Sequence, residues 1–243
     1  MELIKNGVRL DGRKLGELRE LKAKLKVVKN SEGSAMFRMG DTIAVASVYG
    51  PMEVYPAFLE KADKAIVEVN YQMLPFSTDD RSRPGFSRRS AEISALIKRV
   101  FESAIFVEDM PRTKVLINID ILCADASTRC AAINAASLAL AAAGIPMKDM
   151  VASCAVGKVD GQVVLDVAGA EDTEGEVDMP IAYLPLTEEV LLLQMDGIIE
   201  KEEFTSMTAM AIEGCKKIHD FQKGVLLEQG TAVEGEEAET GSQ

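Results

Sequence analysis

The sequence of 243 residues predicts an α+β fold in which mixed β-sheets pack with helices. Short runs rich in β-forming residues are bounded by turn signals such as Gly40-Asp41, which predict hairpins. Other segments repeat their apolar residues at helical spacing. Because hairpins and helical crossovers are mixed along the chain, the pattern is typical of the α+β class.

Strands dominate the first part of the chain. Residues 24–30, 34–38 and 42–49 are predicted as successive strands separated by turn residues. A fourth strand, residues 65–73, alternates apolar and polar side chains imperfectly. A loop rich in Ser, Asp, Arg, Pro and Gly follows from Pro75 to Phe86.

Helices and strands alternate in the remainder of the chain. Apolar spacing predicts a helix over 88–105, and a run of small residues predicts another over 128–143, which Gly144 and Pro146 end. The other predicted elements are a strand over 114–123, a hairpin over 151–168 that turns at Asp160-Gly161, strands near 180–185 and 190–195, and a long amphipathic helix over 201–227.

We predict a single domain over residues 1–227 and a disordered tail over residues 228–243. The tail is rich in Glu and Gly and has five acidic residues without a basic one. No apolar run reaches the roughly 18 residues that a membrane span requires. The N-terminus also lacks the features of a signal peptide, so we expect a cytoplasmic protein that binds no membrane.

Cysteine and histidine usage excludes several kinds of site. The four cysteines lie far apart and form no CxxC pair, which argues against zinc and favours buried, reduced thiols. His219 is the single histidine, which excludes mechanisms that need two and argues against a Ser-His-Asp triad. It lies on a predicted surface helix, where it is expected to be a bystander.

The most informative stretch is residues 81–99, which contains six basic residues and one acidic residue in a protein of net charge −12. Such a concentrated positive patch on an acidic protein indicates a bound polyanion, and arginine forks readily onto phosphate oxygens. A solvated loop followed by an ordinary helix face is the alternative. The basic residues are Arg81, Arg83, Arg88, Arg89, Lys98 and Arg99.

A second candidate is the segment Ala124-Asp125-Ala126-Ser127-Thr128-Arg129, where a predicted strand ends and a helix begins. Small residues leave backbone N–H groups accessible there, and a helix N-terminus favours anions, so a phosphate would fit. The alternative is a simple N-cap, with Ser127 or Thr128 capping the helix and Arg129 in solvent.

A third candidate is the acidic segment from Asp166 to Asp178. Its carboxylates could bind Mg²⁺, or one could be held protonated by its neighbours. An acidic surface loop is the alternative, and the spacing does not fit an EF-hand. The clustered acids are Glu171, Asp172, Glu174, Glu176 and Asp178.

Together the three candidates suit phosphoryl-transfer chemistry. Arginines and a helix N-terminus bind phosphate, whereas carboxylates bind a metal or donate a proton. The sequence contains no GxxxxGK[ST] motif, which excludes a Walker-type NTPase.

These segments, in this order, resemble the RNase PH family of phosphorolytic 3′→5′ exoribonucleases, and the details around PFSTDDRSRPG and GEVDMPIAY resemble its exosome type. The resemblance runs from about Gly7 to about Lys223 and implies an RNase PH-type fold, which is ribosomal S5 domain 2-like. Its motifs are GVRLDGR (7–13), GSAMFRMGDT (33–42), VYGP (48–51), MLPFSTDDRSRPGFSRRSAEIS (73–94), ADASTR (124–129), AASLALAAAGIPMKD (135–149), AVGKVDG (155–161) and EDTEGEVDMPIAY (171–183).

The resemblance assigns a phosphate-binding role to Arg89 and to the pair Thr128-Arg129, with Ser127 contributing its backbone. It assigns metal binding and protonation of the leaving group to Asp172 and Asp178. The implied metal is Mg²⁺ or Mn²⁺, and inorganic phosphate is the implied co-substrate.

Two further positions are implied to contact RNA. Arg88 matches a position that holds the RNA backbone near its 3′ end, and Tyr71 lies where an aromatic ring can stack on a base. The sequence departs from its relatives at Ser127, where they usually carry Gly, and at Glu68 and Asn70, where they tend to place arginines. These departures predict weaker retention of RNA.

The implied activity is attack of phosphate on the last phosphodiester of single-stranded RNA, which releases a nucleoside diphosphate and is reversible as polymerisation. The implied assembly is a hexameric ring, in archaea alternating with an inactive RNase PH-like paralogue below a cap of RNA-binding subunits. Two alternatives are a non-catalytic ring subunit that guides RNA and a stand-alone enzyme that trims tRNA 3′ ends.

Overall fold

The computed structural model describes the backbone of residues 3–5, 7–85 and 87–240, and side chains up to Glu228. Phe86, at the end of the predicted loop, and the last three residues of the predicted tail lie outside the described residues.

The first sheet is five-stranded and mainly antiparallel, and a short hairpin of β1 (Ile4–Lys5) and β2 (Val8–Arg9) precedes it. Its strands are β3 (Leu21–Leu25), β4 (Gly33–Met39), β5 (Thr42–Glu53), β6 (Ile66–Met73) and β7 (Thr113–Cys123). They follow the order β3-β4-β5-β7-β6, in which β6 runs parallel to β7. The carboxyl ends of β6 and β7 therefore lie side by side.

The second sheet is antiparallel and comes from the C-terminal half. Its strands are β8 (Ala152–Val159), β9 (Gln162–Leu165), β10 (Val177–Leu184), β11 (Glu189–Leu193) and β12 (Asp196–Gly197). They follow the order β11-β10-β8-β9, and β12 pairs with the beginning of β10. The two sheets together confirm the predicted α+β class.

In the described part of the chain, four helices accompany the sheets. They are α1 (Arg88–Ala104), α2 (Thr128–Ala142), the short α3 (Ala170–Glu174) and α4 (Lys201–Thr240). α1 packs on β6 and β11, and α4 packs on β3, β8, β9 and β10. The predicted helices are confirmed, whereas α3 was not predicted. Short 3-10 turns lie at Ala57–Leu59 and Val107–Asp109.

The predicted strand over 24–30 is displaced toward the N-terminus. β3 covers Leu21–Leu25 and ends where Lys26 adopts a left-handed φ of 55°. A residue with a left-handed backbone cannot continue the hydrogen-bond ladder of a sheet, so the chain turns away from the sheet at Lys26.

The prediction of a disordered tail is left untested. The backbone of α4 continues as helix to Thr240, but the side chains after Glu228 lie outside the described residues. No described helix is both long and apolar enough to cross a membrane.

The predicted burial of the cysteines is confirmed for three of the four, and the prediction for histidine is corrected. All four cysteines are free thiols, and three are buried while Cys123 is half-buried. His219 is not on the surface, because α4 buries it and its Nε2 lies 2.9 Å from Asp149 Oδ1. That contact ties α4 to the chain just before β8, away from the candidate active site.

α2 is the centre of the fold because it lies between the two sheets. It packs on β4, β5 and β7 of the first sheet and on β8 and β10 of the second. Twelve of its fifteen residues are buried, which its small side chains allow. Asn134 anchors it, since its amide accepts from the Ser153 N–H at 2.9 Å and donates to the Ser153 carbonyl at 2.8 Å. One hydrophobic core therefore runs through both sheets.

Close packing of α2 on β4 requires Gly33. A Cβ there would lie 2.3 Å from the carbonyl oxygen of Ala139 and 2.4 Å from the amide nitrogen of Ala143, both backbone atoms of the helix end. We expect Gly33→Ala to lower the free energy of unfolding by about 2 kcal/mol or more, because overpacked backbone cannot move aside. Urea denaturation measures this.

The matched control is Gly16→Ala, at an exposed glycine where an added Cβ meets no atom within 4 Å. It should leave the midpoint of urea denaturation nearly unchanged. Equal midpoints for the two variants would contradict the packing of α2 on β4.

Candidate active site

A cavity of about 400 Å³ opens where the N-termini of α1 and α2 meet α3 and β10. It brings together six of the residues that the sequence singled out, from four separate elements. They are Arg89, Ser127, Thr128, Arg129, Asp172 and Asp178. The phosphate-binding and acidic candidates therefore belong to one site.

Ser87 fixes the start of α1. Its Oγ accepts a hydrogen bond from the Ser90 N–H at 2.9 Å, so α1 begins at Arg88 with a side-chain cap. Arg88 and Arg89 are consequently in the first turn, and both are exposed. Arg89 lines the cavity, whereas Arg88 does not appear in its wall.

The loop before α2 has an unusual backbone. Ala126 and Ser127 are consecutive residues in the left-handed region, with φ of 61° and 51°. Ser127 makes no side-chain cap, because its Oγ donates to the Val167 carbonyl at 2.9 Å instead. Side-chain capping by Ser127 is therefore wrong. Its carbonyl accepts from the Cys130 N–H at 3.0 Å, and the N–H groups of Thr128 and Arg129 are left for another acceptor.

Thr128, the first residue of the predicted pair Thr128-Arg129, is buried and held by Tyr71. The Tyr71 hydroxyl and Thr128 Oγ1 are 3.0 Å apart. Burial raises the pKa of Tyr71, although the Thr128 contact and the charges of Arg89 and Arg129 oppose this, so the phenol stays protonated and can donate. Thr128 can then direct its own hydroxyl proton toward an anion in the cavity.

The predicted stacking role of Tyr71 is wrong. The residue is 3% exposed, since β6 directs it into the core beneath α1 and α2. Its ring offers no face to a base. Tyr71 contributes to the site by positioning Thr128.

Arg129 is half-buried and paired rather than directed into solvent. Its Nη1 donates to Oε1 of Gln194, which follows β11. This contact places the guanidinium at the cavity wall, close enough to Asp178 to lower the pKa of that carboxyl. Gln194 was not singled out from the sequence.

Asp178 has the strongly perturbed carboxyl of the site. Burial raises its pKa to about 6, the negative charges of Asp172 and Asp196 add to this, and Arg129 and Arg89 oppose it. Asp196 lies directly across from Asp178 in the pairing of β10 with β12. No local signal in the sequence identified Asp196, because a two-residue strand carries no periodic pattern.

The rest of the acidic segment is used for structure. Glu171 is buried and accepts from Nε of Arg9 at 2.8 Å, while Glu176 accepts from the Gly161 N–H at 2.7 Å and lies 3.7 Å from Lys158 Nζ. The predicted alternative, an acidic surface loop, is therefore wrong for Glu171, whereas Glu176 is an exposed loop residue that has hydrogen-bond and ion-pair partners. Asp172, on α3, and Asp178, on β10, face the cavity.

The two cavity carboxylates suit a hard cation that keeps most of its own water. Among the described residues, no cluster of three or more acidic, cysteine or histidine side chains could enclose a metal. Mg²⁺ does not need such a cluster, because it usually binds one or two carboxylates and completes its shell with water and substrate phosphate. Asp172 and Asp178 fit that mode.

The charges in the cavity are arranged in two halves. Arg89, Arg129 and the N-terminus of α2 offer positive charge and N–H donors to an oxyanion. Asp172 and Asp178 offer carboxylates, one of which holds its proton up to near-neutral pH. Such a site can hold phosphate and donate a proton within the same cavity.

Comparisons with known proteins agree with this geometry. Residues 17–146 match domain 1 of the 3′ exoribonuclease family RNase PH, and residues 149–214 match its domain 2. The exosome complex component Rrp41 of Thermococcus kodakarensis is 48% identical over 236 residues, which cover 96% of this chain and 95% of that protein. Rrp41 of Methanopyrus kandleri is 49% identical over 227 residues, or 93% and 95% of the two chains.

A solved structure shows the same fold. The crystal structure of rice (Oryza sativa) Rrp46 superposes with a TM-score of 0.80 at 26% identity, covering 90% of this chain and all of that one. Both domains, the identity over nearly the whole length and the shared architecture lead to one conclusion: this chain belongs to the RNase PH family of 3′ exoribonucleases.

Proposed function

We propose that this chain is the catalytic RNase PH-like subunit of an exosome ring, and that it shortens single-stranded RNA from the 3′ end by phosphorolysis. One observation carries the proposal: anion-binding groups and a carboxyl with a raised pKa line the same cavity of about 400 Å³. Phosphorolysis requires a second oxyanion, the attacking phosphate, beside the scissile phosphodiester, and the two guanidiniums and the helix N-terminus at this cavity support that requirement.

The attacking phosphate is held between α1 and α2. Arg89 supplies a guanidinium from one helix, and Thr128 with Arg129 supplies a hydroxyl, a guanidinium and backbone N–H groups from the other. Left-handed Ser127 turns the chain so that the helix starts at the cavity wall. Held in this way, a phosphate oxygen forms a bond to the phosphorus of the last phosphodiester.

Asp178 supplies the proton that the leaving group requires. As the bond from phosphorus to the 3′-oxygen breaks, that oxygen takes a proton and becomes a hydroxyl. A carboxyl with a pKa of about 6 is partly protonated near neutral pH, unlike an ordinary aspartate. The products are a nucleoside diphosphate and RNA shorter by one nucleotide, and excess diphosphate reverses the reaction.

Mg²⁺ or Mn²⁺ would be held by Asp172, joined by Asp178 when that carboxyl is ionised, and would neutralise charge that develops on the phosphate oxygens. Both carboxylates line the same cavity as Arg89 and Arg129, so a metal held there would lie in the cavity that binds the phosphate. The proposal thus assigns proton donation to protonated Asp178, and metal binding to Asp172 and to ionised Asp178.

RNA is held by backbone contacts at the cavity mouth. Arg81, Arg83 and Arg88 are exposed on the loop and first turn that lead to Arg89. Arginines on phosphates carry no sequence information, so sequence preference should be slight. Glu68 pairs with Lys114 at 3.2 Å and Asn70 donates to Asn118 at 3.0 Å, so this strand offers RNA no free cation, in keeping with weaker retention.

The proposed assembly is a hexameric cytoplasmic ring in which this chain alternates with an inactive RNase PH-like paralogue below RNA-binding cap subunits. The support is the naming of its relatives as exosome components and the likeness to rice Rrp46. A non-catalytic ring subunit is disfavoured, because the phosphate-binding and acidic residues are all present in one cavity.

Phosphate dependence tests the proposed activity. The assembled ring, incubated with 5′-labelled RNA and Mg²⁺, should shorten the RNA only when inorganic phosphate is present and should release nucleoside diphosphates. Adding excess diphosphate without phosphate should lengthen the RNA. Release of nucleoside monophosphates at the same rate in phosphate-free buffer would contradict the proposal.

Arg129→Ala and Arg88→Ala should each weaken the binding of a different substrate, phosphate in the first variant and RNA in the second. A charge-assisted contact contributes roughly 1.5–3 kcal/mol, so Arg129→Ala should raise the KM for phosphate by about tenfold or more. Arg88→Ala should raise the KM for RNA and leave that for phosphate unchanged. Steady-state kinetics with each substrate varied in turn measures both, and an unchanged phosphate KM in Arg129→Ala would refute the assignment.

Asp178→Asn should abolish activity while stabilising the fold. Loss of a general acid lowers the rate by about 10²-fold or more, and RNA affinity should be unchanged. The folded-state pKa of about 6 lies above the ordinary 3.8, so the ionised carboxylate destabilises the wild type at pH above 6. Asparagine removes that penalty, a gain of about 1–3 kcal/mol at pH 7.5.

The stabilisation by Asp178→Asn should fade as the pH falls from about 6 to 3.8, because the wild-type carboxyl then becomes neutral in both states. Urea denaturation in metal-free buffer at several pH values measures it. The control is Asp220→Asn on the exposed face of α4, which should change neither the activity nor the free energy of unfolding. Activity of Asp178→Asn within a few-fold of wild type would show that another residue donates the proton.

A further inference from the structure

A buried arginine lies behind the loop that begins α2. Arg19 precedes β3, and its side chain is 5% exposed. It does not line the active-site cavity, and neither the arginine cluster nor the acidic segment includes it. The GVRLDGR motif lies just upstream and contributes Arg13, 3.6 Å from the carboxylate that Arg19 binds.

That carboxylate is Asp166, which is fully buried. The backbone N–H and Nε of Arg19 donate to Asp166 Oδ2 at 2.8 and 3.0 Å, and Nη2 lies 2.7 Å from Oδ1. This is a bidentate pair with an added backbone bond, the geometry in which an arginine is held most rigidly. Asp166 follows β9 and begins the segment that leads to α3 and Asp172.

The remaining nitrogen of Arg19 reaches the phosphate-binding loop. Nη1 donates to the carbonyl oxygen of Asp125 at 2.6 Å. Thr42 supports the same point, since its Oγ1 lies 2.8 Å from the carbonyl oxygens of both Asp125 and Ala126 and accepts from the Asp125 N–H at 3.0 Å. Arg19 thus bridges the loop before α2 and the segment before α3.

The loop needs such support because its backbone is strained. Ala126 and Ser127 are both left-handed, a conformation that non-glycine residues keep only when their surroundings enforce it. The enforcing contacts are the hydrogen bonds to the carbonyls of Asp125 and Ala126 and the bond from Ser127 Oγ to Val167. Arg19 and Thr42 provide the bonds to the two carbonyls, and the bond from Ser127 ends at Val167, the residue after Asp166.

We propose that Arg19 is a positioning residue that keeps the N–H groups at the start of α2 in phosphate-binding geometry, at a fixed distance from Asp172. The inference rests on the proposed function. Lysine in its place retains the charge beside Asp166, but a single ammonium cannot serve both carboxylate oxygens and the Asp125 carbonyl. The loop would then be free to relax its left-handed residues.

The test compares Arg19→Lys with wild type in the assembled ring, at a temperature at which circular dichroism shows both to be folded. The KM for inorganic phosphate should rise about tenfold or more, because small displacements of binding groups have large effects. The KM for RNA should stay unchanged, which a general loss of structure would not allow. Phosphate-dependent thermal stabilisation of the chain should shift to higher phosphate concentration in parallel.

The control is Arg112→Lys, at an exposed arginine paired with Glu60, which should alter neither KM. If Arg19→Lys does not fold, Thr42→Val takes its place, since it removes the second support of the same loop and should raise the phosphate KM in the same way. Equal phosphate KM values for variant and wild type, or equal rises for phosphate and RNA, would overturn the inference. A wild type without phosphate dependence would overturn the proposed function as well.

Discussion

Burial of α2 between the two sheets is the constraint on which the rest of the structure depends. A helix of small side chains can be covered on many sides, and its Ala-rich sequence permits contact with strands of both sheets. Burying the helix body leaves its N-terminus as the part that can meet a ligand. The cavity forms there because α1, α3 and β10 converge on the same end.

Arginine and aspartate side chains line the same cavity, yet the arginines do not keep Asp178 ionised. Arg89 and Arg129 lower the pKa of Asp178, but burial and the neighbouring acids outweigh them and the balance leaves it at about 6. Full pairing with an arginine would keep the carboxyl ionised and unable to donate a proton. In the structure Arg129 donates to Gln194, and the proposed role of Asp178 as proton donor depends on that arrangement.

Long periodic segments and charge clusters are local signals, and they predicted the helices, the fold class and the three segments that meet at the cavity. The resemblance to the RNase PH family selected the six residues within those segments. It failed for Tyr71, whose burial depends on how β6 meets α2. It also missed Asp196, Gln194 and the Arg19–Asp166 pair, which come together only through contacts distant in sequence. Ser127 was expected beside the phosphate, yet its left-handed backbone and its bond to Val167 follow from the assembled loop.

The central claim is that an anion held at the start of α2, and not water, attacks the RNA. The most direct measurement identifies whether the terminal group of the released nucleotide comes from inorganic phosphate or from water. The ring is supplied with radiolabelled inorganic phosphate in water enriched in heavy oxygen, and the released nucleotide is analysed. The account predicts that the label appears in the terminal phosphate of a nucleoside diphosphate, which gains no heavy oxygen from water. A nucleoside monophosphate carrying heavy oxygen and no label would contradict it.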